Sequence, residues 1–129
     1  MGHVEIHGDH GQFSIPAELG GRGAGTNPEE LLAAAAATCY LITLAINLKM
    51  HGIAVQGLRI TTRAVFDVSA APIVREIRHF PTVEISEAER ERRIETLAKC
   101  IADAEAACMV ANALRGNVQT SVEPAIAVV

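Results

Sequence analysis

Three cysteines, an arginine and a pair of glutamates carry most of the chemistry open to this sequence. Cys39 lies inside a long apolar run, and Cys100 and Cys108 lie eight residues apart in a later, more charged stretch. A thiol attacks as the thiolate, and burial alone raises its pKa. Cys39 can therefore be a nucleophile only with a cation or stabilising dipole beside it. Without one, a cysteine on an apolar helix is simply a small hydrophobe. Arg22 sits in a glycine-rich loop, Leu19 to Gly25, reading LGGRGAG, which leads into Glu29 and Glu30. Such a loop before a helix can hold a phosphate, but the spacing matches neither the P-loop nor the dinucleotide fingerprint. The other reading is a backbone bent tightly over the helix start, with Arg22 free to reach inward. His3, His7 and His10 near the chain start are the obvious metal-ligand candidates. His3 and His7 are spaced His-x-x-x-His, but no carboxylate or thiol is placed to complete a site and no Cys-x-x-Cys pair exists, so they read as strand and turn histidines.

The element that must position Cys39 is the stretch Asn27 to Gly52, NPEELLAAAAATCYLITLAINLKMHG. Its apolar length without interior Gly or Pro predicts a helix. Thr26 or Asn27 can cap it, Pro28 suits its first turn, and Glu29 and Glu30 lie at the positive end of its dipole. Lys49, His51 and Gly52 form a closing signal. A helix apolar on all faces is a domain's buried axis or a membrane span. Six alanines from Leu31 to Leu48 give little insertion energy and charged, strand-like sequence follows, so the core helix is the expectation and no membrane is implied.

Around it the chain reads as a hairpin (Val4 to His7 and Gln12 to Pro16), the helix, and a long antiparallel hairpin. Leu58, Ile60, Thr62, Ala64 and Phe66 alternate with polar neighbours in its first arm, and its second runs from Ile73 to Ile85. Ser86 with Glu89 predicts a capping box opening a second helix. Ile94, Leu97, Ala98, Ile101, Ala104 and Cys108 share its buried stripe, with Cys100 at the edge and the run Glu87 to Arg93 solvated. A short helical piece, Met109 to Leu114, and a strand with alternating Val118, Thr120 and Val122 complete an α+β domain spanning residues 1–129 with mostly antiparallel pairing.

Composition narrows the function. The chain has 129 residues, half of them hydrophobic but only four aromatic, so its core is built from small and branched aliphatics. A formal charge of −4 without a basic, aromatic patch argues against nucleic acid. The start, Met1-Gly-His-Val-Glu-Ile, has no secretory pattern, which predicts a cytoplasmic protein whose cysteines are reactive or buried and not a disulfide framework.

The sequence resembles the OsmC/Ohr family of osmotically inducible and organic hydroperoxide resistance proteins. The resemblance rests on Gly25-Thr26-Asn27-Pro28-Glu29-Glu30-Leu31-Leu32-Ala33-Ala34, on Cys39 ten residues after Glu29, and on Cys108 followed by Asn112-Ala113-Leu114 and Gly116-Asn117. It implies antiparallel sheets wrapped around a buried central helix in an intertwined homodimer. It also implies a thiol peroxidase for small hydrophobic hydroperoxides, with Cys39 peroxidatic and Cys108 resolving, reset by a dithiol such as a lipoyl group on a protein, with no metal or organic cofactor. In Ohr-type members an arginine near the chain start pairs with the carboxylate matching Glu29 and lies against the thiolate. This sequence has no match for it, and Arg22 is the nearest substitute. In a continuous helix Glu29 and Cys39 are about 15 Å apart along the axis, so their cooperation needs a helix break or a bridging arginine. The resolving segment reads Cys108-Met109-Val110-Ala111 where relatives have Cys-Pro-Val-Ser. The missing arginine motivates an alternative of another class: a non-catalytic or redox-sensing family member holding a hydrophobic ligand at the dimer interface.

Overall fold

The computed structural model describes residues 2–6 and 9–129, with side chains from residue 14 onward. The chain divides into two compact units, Met1–Leu32 and Ala33–Val129. In the first, strand β1 (Gly2–Ile6) pairs antiparallel with β2 (Asp9–Phe13) from Gly2↔Phe13 to Ile6↔Asp9. The expected hairpin is there, but its second arm begins at Asp9 and ends earlier than expected, at Phe13. Position 7 and the side chains of His3 and His10 lie outside the described residues, and with them the question of a histidine metal site.

The glycine-rich loop bends tightly, as expected. A single 3-10 turn, Ala17–Leu19, closes on left-handed Gly20 (φ 82°), and a side chain at Gly21 would collide with the Ile15 carbonyl. Ser14 ties the loop down, its amide donating to Thr26 O (2.9 Å) and its hydroxyl to Ala24 O (2.6 Å). The loop delivers Asn27, whose side-chain oxygen accepts from the Glu30 amide at 2.9 Å; of the two cap candidates, Asn27 is the cap. Helix α1 (Pro28–Met50) follows without a break, and left-handed Gly52 (φ 69°) ends it, with the Ile53 amide donating back to Leu48 O at 3.0 Å.

The second unit builds a mixed four-stranded sheet. Strands β3 (Gly57–Asp67) and β4 (Ile73–Ile85) form the predicted long antiparallel hairpin, with a bulge opposite Val65/Phe66. The last strand is two strands, β5 (Gln119–Val122) and β6 (Ala125–Val128), and both run parallel to β4 instead of antiparallel. They flank a gap at Phe80 and Pro81, because β5 pairs with residues 76–79 and β6 with 82–85. Pro81 has no N–H to give, so its place in a central strand is tolerated where that side of the ladder is interrupted.

The inner face of β4, Ile77, His79, Pro81, Val83 and Ile85, is buried. In the same core lie Tyr40, Leu44 and Leu48 of α1 and Leu97, Ile101 and Ala104 of α2 (Glu87–Ala107). Ser86 caps α2 by accepting from the Glu89 amide at 3.2 Å, but the reciprocal half of the capping box is not made. The Glu89 carboxylate instead accepts from the Ala54 amide (3.4 Å) and Arg92 (3.0 Å), and it is buried. One member of the supposedly solvated run therefore staples the loop after α1 to α2. Among the described residues α1 is covered along one side only. Ile42, Ile46 and Met50 are 61%, 53% and 77% exposed, although the helix is long and apolar enough to cross a membrane.

Candidate thiol site

Helices α1 and α2 pack antiparallel, and this register decides which cysteines meet. The Asn47 side chain donates to Cys100 O (3.4 Å), and the Cys100 thiol faces Asn47 O (3.8 Å). With residue 47 opposite residue 100, each step down α1 is a step up α2, so residue 39 falls opposite residue 108. α2 ends at Ala107, and Cys108 takes extended angles (φ −71°, ψ 115°) before α3 (Met109–Leu114) begins. The Asn112 side chain fixes this break by donating to Ala106 O at 3.1 Å, and the Asn112 amide donates to Cys108 O at 2.9 Å.

At the break the two thiols are neighbours, each acting on the other's ionisation, with Cys39 half-buried and Cys108 only 1% exposed. Their environments push them apart. Burial works against ionising Cys39, but the nearby Val110 amide, Cys108 thiol and Met109 amide favour its thiolate, and the balance holds its pKa below that of a free thiol. Burial raises Cys108; the Ala111 and Val110 amides work against this, but the neighbouring Cys39 and the charge it carries when ionised raise it further. The first proton therefore leaves from Cys39, and the dipole that the sequence required but did not reveal is the opening turn of α3. Thr43 also reaches this sulfur, but its hydroxyl has one proton and its oxygen lies 2.7 Å from the Cys39 carbonyl. It serves the carbonyl at rest and is free to turn to the thiolate.

Cys100 belongs to a different level of the helix pair. It is buried, and its sulfur faces Asn47 O at 3.8 Å. Eight residues along α1 from Cys39 is about 12 Å, well beyond disulfide reach. Burial first, then nearby Asp103, raises its pKa. It is enclosed, not at the edge of the buried stripe.

Two further groups in the core gave little sequence signal as site residues. Tyr40 is buried and stacks on His79, ring centroids 5.5 Å apart at 15°. His79 in turn shares a hydrogen bond with the Thr62 hydroxyl at 2.8 Å, and burial lowers its pKa, keeping it neutral. The apolar alternation of β4 breaks at His79, the one trace in the sequence that a polar group points inward there.

Glu29 and Arg22 lie in the first unit. Glu29 occupies the first turn of α1 and Arg22 is exposed in the glycine loop; among the described residues no ion pair joins them. One carboxylate oxygen of Glu29, Oε2, is buried without a hydrogen-bond partner. α1 runs unbroken from Glu29 to Cys39, so of the two routes to cooperation the helix break is absent.

A mixed sheet over two antiparallel helices, with a thiol of lowered pKa on one and a buried thiol at the end of the other, defines a cysteine-pair protein of OsmC-like architecture. The chain belongs to the OsmC-like protein family, whose description matches residues 21–123. It is 34% identical over 115 residues to the uncharacterized protein YmaD of Bacillus subtilis, covering 88% of this chain and 77% of that one. Among solved structures it is similar to the organic hydroperoxide resistance protein OsmC of Legionella pneumophila, at 26% identity and a TM-score of 0.77, covering 96% and 88% of the two chains. An OsmC-like protein of unknown function from Vibrio cholerae shares the fold at 17% identity and a TM-score of 0.78, covering 95% and 82%.

Proposed function

We propose that this protein is a thiol-dependent peroxidase that reduces organic hydroperoxides. What carries the proposal is the pairing of Cys39 with Cys108 at one end of the core, their thiols having pKa values moved in opposite directions. The Cys39 thiolate attacks the distal oxygen of the hydroperoxide; the O–O bond breaks, and the alkoxide leaves and takes a proton to become the alcohol. Cys39 is then a sulfenic acid. The Cys108 sulfur attacks Cys39, hydroxide leaves with the Cys108 proton as water, and a disulfide forms. An external dithiol returns both thiols and is itself oxidised to a disulfide; a lipoyl group has the right chemistry.

The partly built surroundings support two further assignments. A buried carboxylate oxygen without a partner, as at Glu29, is costly and calls for a cation. Arg22, exposed and without an ion-pair partner among the described residues, is assigned that task and the activation of Cys39. Ile42, Ile46 and Met50 form an exposed apolar stripe of the kind that a second copy of the chain covers, so the working unit is a homodimer.

The test is single-turnover mixing of reduced protein with cumene hydroperoxide, with free thiols counted and the product mapped by mass spectrometry. Rapid loss of two thiols per chain and a Cys39–Cys108 link are expected. Oxidation no faster than that of a free thiol would overturn the peroxidase reading and favour the non-catalytic, ligand-holding alternative.

A further inference from the structure

The side of the thiol pair that a peroxide can approach is narrow. Cys108 is 1% exposed, so entry is to Cys39 alone. Cys39 and Val110 pack against the same core, and the Met109 and Val110 amides act on the Cys39 sulfur, so the start of α3 lies beside it. Val110 packs into the core, but Met109, one residue after Cys108, is 79% exposed, the most exposed of the large apolar side chains among the described residues. An apolar side chain left in solvent beside a reactive sulfur gains nothing for folding. Beside a hydrophobic substrate it gains contact.

We infer that Met109 is a specificity-determining residue, its flexible thioether chain closing over the hydrocarbon part of an organic hydroperoxide while the peroxide oxygen meets Cys39. This rests on the peroxidase reading and extends it to a residue that the chemistry itself does not require. Methionine suits the task because three rotatable bonds let it follow alkyl or aryl groups of different shape. The backbone amide of Met109 serves the thiolate whatever the side chain is, so substitution there separates substrate contact from thiol activation. Hydrogen peroxide has no hydrocarbon part and is the internal control.

The experiment compares second-order rate constants for Cys39 oxidation by cumene hydroperoxide and by hydrogen peroxide in the full-length reduced protein and in Met109→Ala, Met109→Gln and Met109→Leu. The expected loss for cumene hydroperoxide is about tenfold in Met109→Ala and Met109→Gln, the scale of burying part of a methionine side chain. The hydrogen peroxide rate and its pH profile stay unchanged, and Met109→Leu keeps most of the wild-type preference. Parallel loss for both peroxides would mean that Met109 acts on the thiols and not on the substrate, and no change for either would mean that its side chain touches nothing; either result overturns the inference. A wild-type protein that reacts with neither peroxide faster than a free thiol does would instead sink the peroxidase reading itself.

Discussion

Replacing Tyr40 separates two ways in which α1 is held against its neighbours beside Cys39. Tyr40→Phe keeps the ring on His79 and removes only the 3.1 Å hydrogen bond to Ile101 O. Ile101 lies inside α2, so its carbonyl keeps its helical partner and no buried group is orphaned. The cost is then that of one ordinary hydrogen bond, about 1 kcal/mol. Tyr40→Ala removes a fully buried ring as well, and such truncations cost about 3–5 kcal/mol. For a chain of this size each kcal/mol corresponds to about 4 °C in Tm, so the two variants should melt about 4 °C and more than 10 °C below wild type. Thermal melts of the reduced proteins, followed by circular dichroism, give these shifts directly. Stopped-flow peroxide mixing then gives the rate of disulfide closure, which should stay within a few-fold of wild type in Tyr40→Phe and fall sharply in Tyr40→Ala. If the two variants lost equal stability, the hydroxyl and not the ring packing would be the tie, and the account of the core around Tyr40 would be wrong.

Cys39→Ser should abolish turnover, whereas Cys108→Ser should allow one turnover and leave a sulfenic acid open to overoxidation, visible as added oxygen in intact-mass spectra. Cys100→Ala should leave the count at two thiols lost per chain, because the helix register keeps Cys100 near Asn47; a count that fell to one would show Cys100 in the disulfide. His79 titrates below its ordinary value when folded because it is buried, so the unfolded chain binds the extra proton first. Its contribution to stability is complete above about pH 6.5 and is lost as pH falls from there through the lower folded value. Urea midpoints between pH 7.5 and 5 should therefore drop more steeply in wild type than in His79→Gln, and equal slopes would remove His79 as the cause.

Much of this molecule is legible in short stretches of its sequence. The cap at Asn27, the glycine close at Gly52, the period-2 alternation of the long hairpin and the Ser86 start of α2 are short-range preferences written in adjacent residues. The family motifs named Cys39 and Cys108. Only the tertiary structure decided what surrounds them. The parallel direction of β5 and β6 depends on how the chain returns after α3, and strand composition does not encode direction. The inward turn of Glu89 depends on the Ala54 amide, 35 residues away in sequence. The lowered pKa of Cys39 comes from amides at residues 109 and 110, brought there by the antiparallel packing of two helices and a break at Cys108. Local preference fixes which residues form an element, but the energy of a thiolate is set by the dipoles that arrive from elsewhere in the chain. Sequence alone therefore singled out the two sulfurs as candidates, and the packing of α1 against α2 and α3 decided which one ionises first.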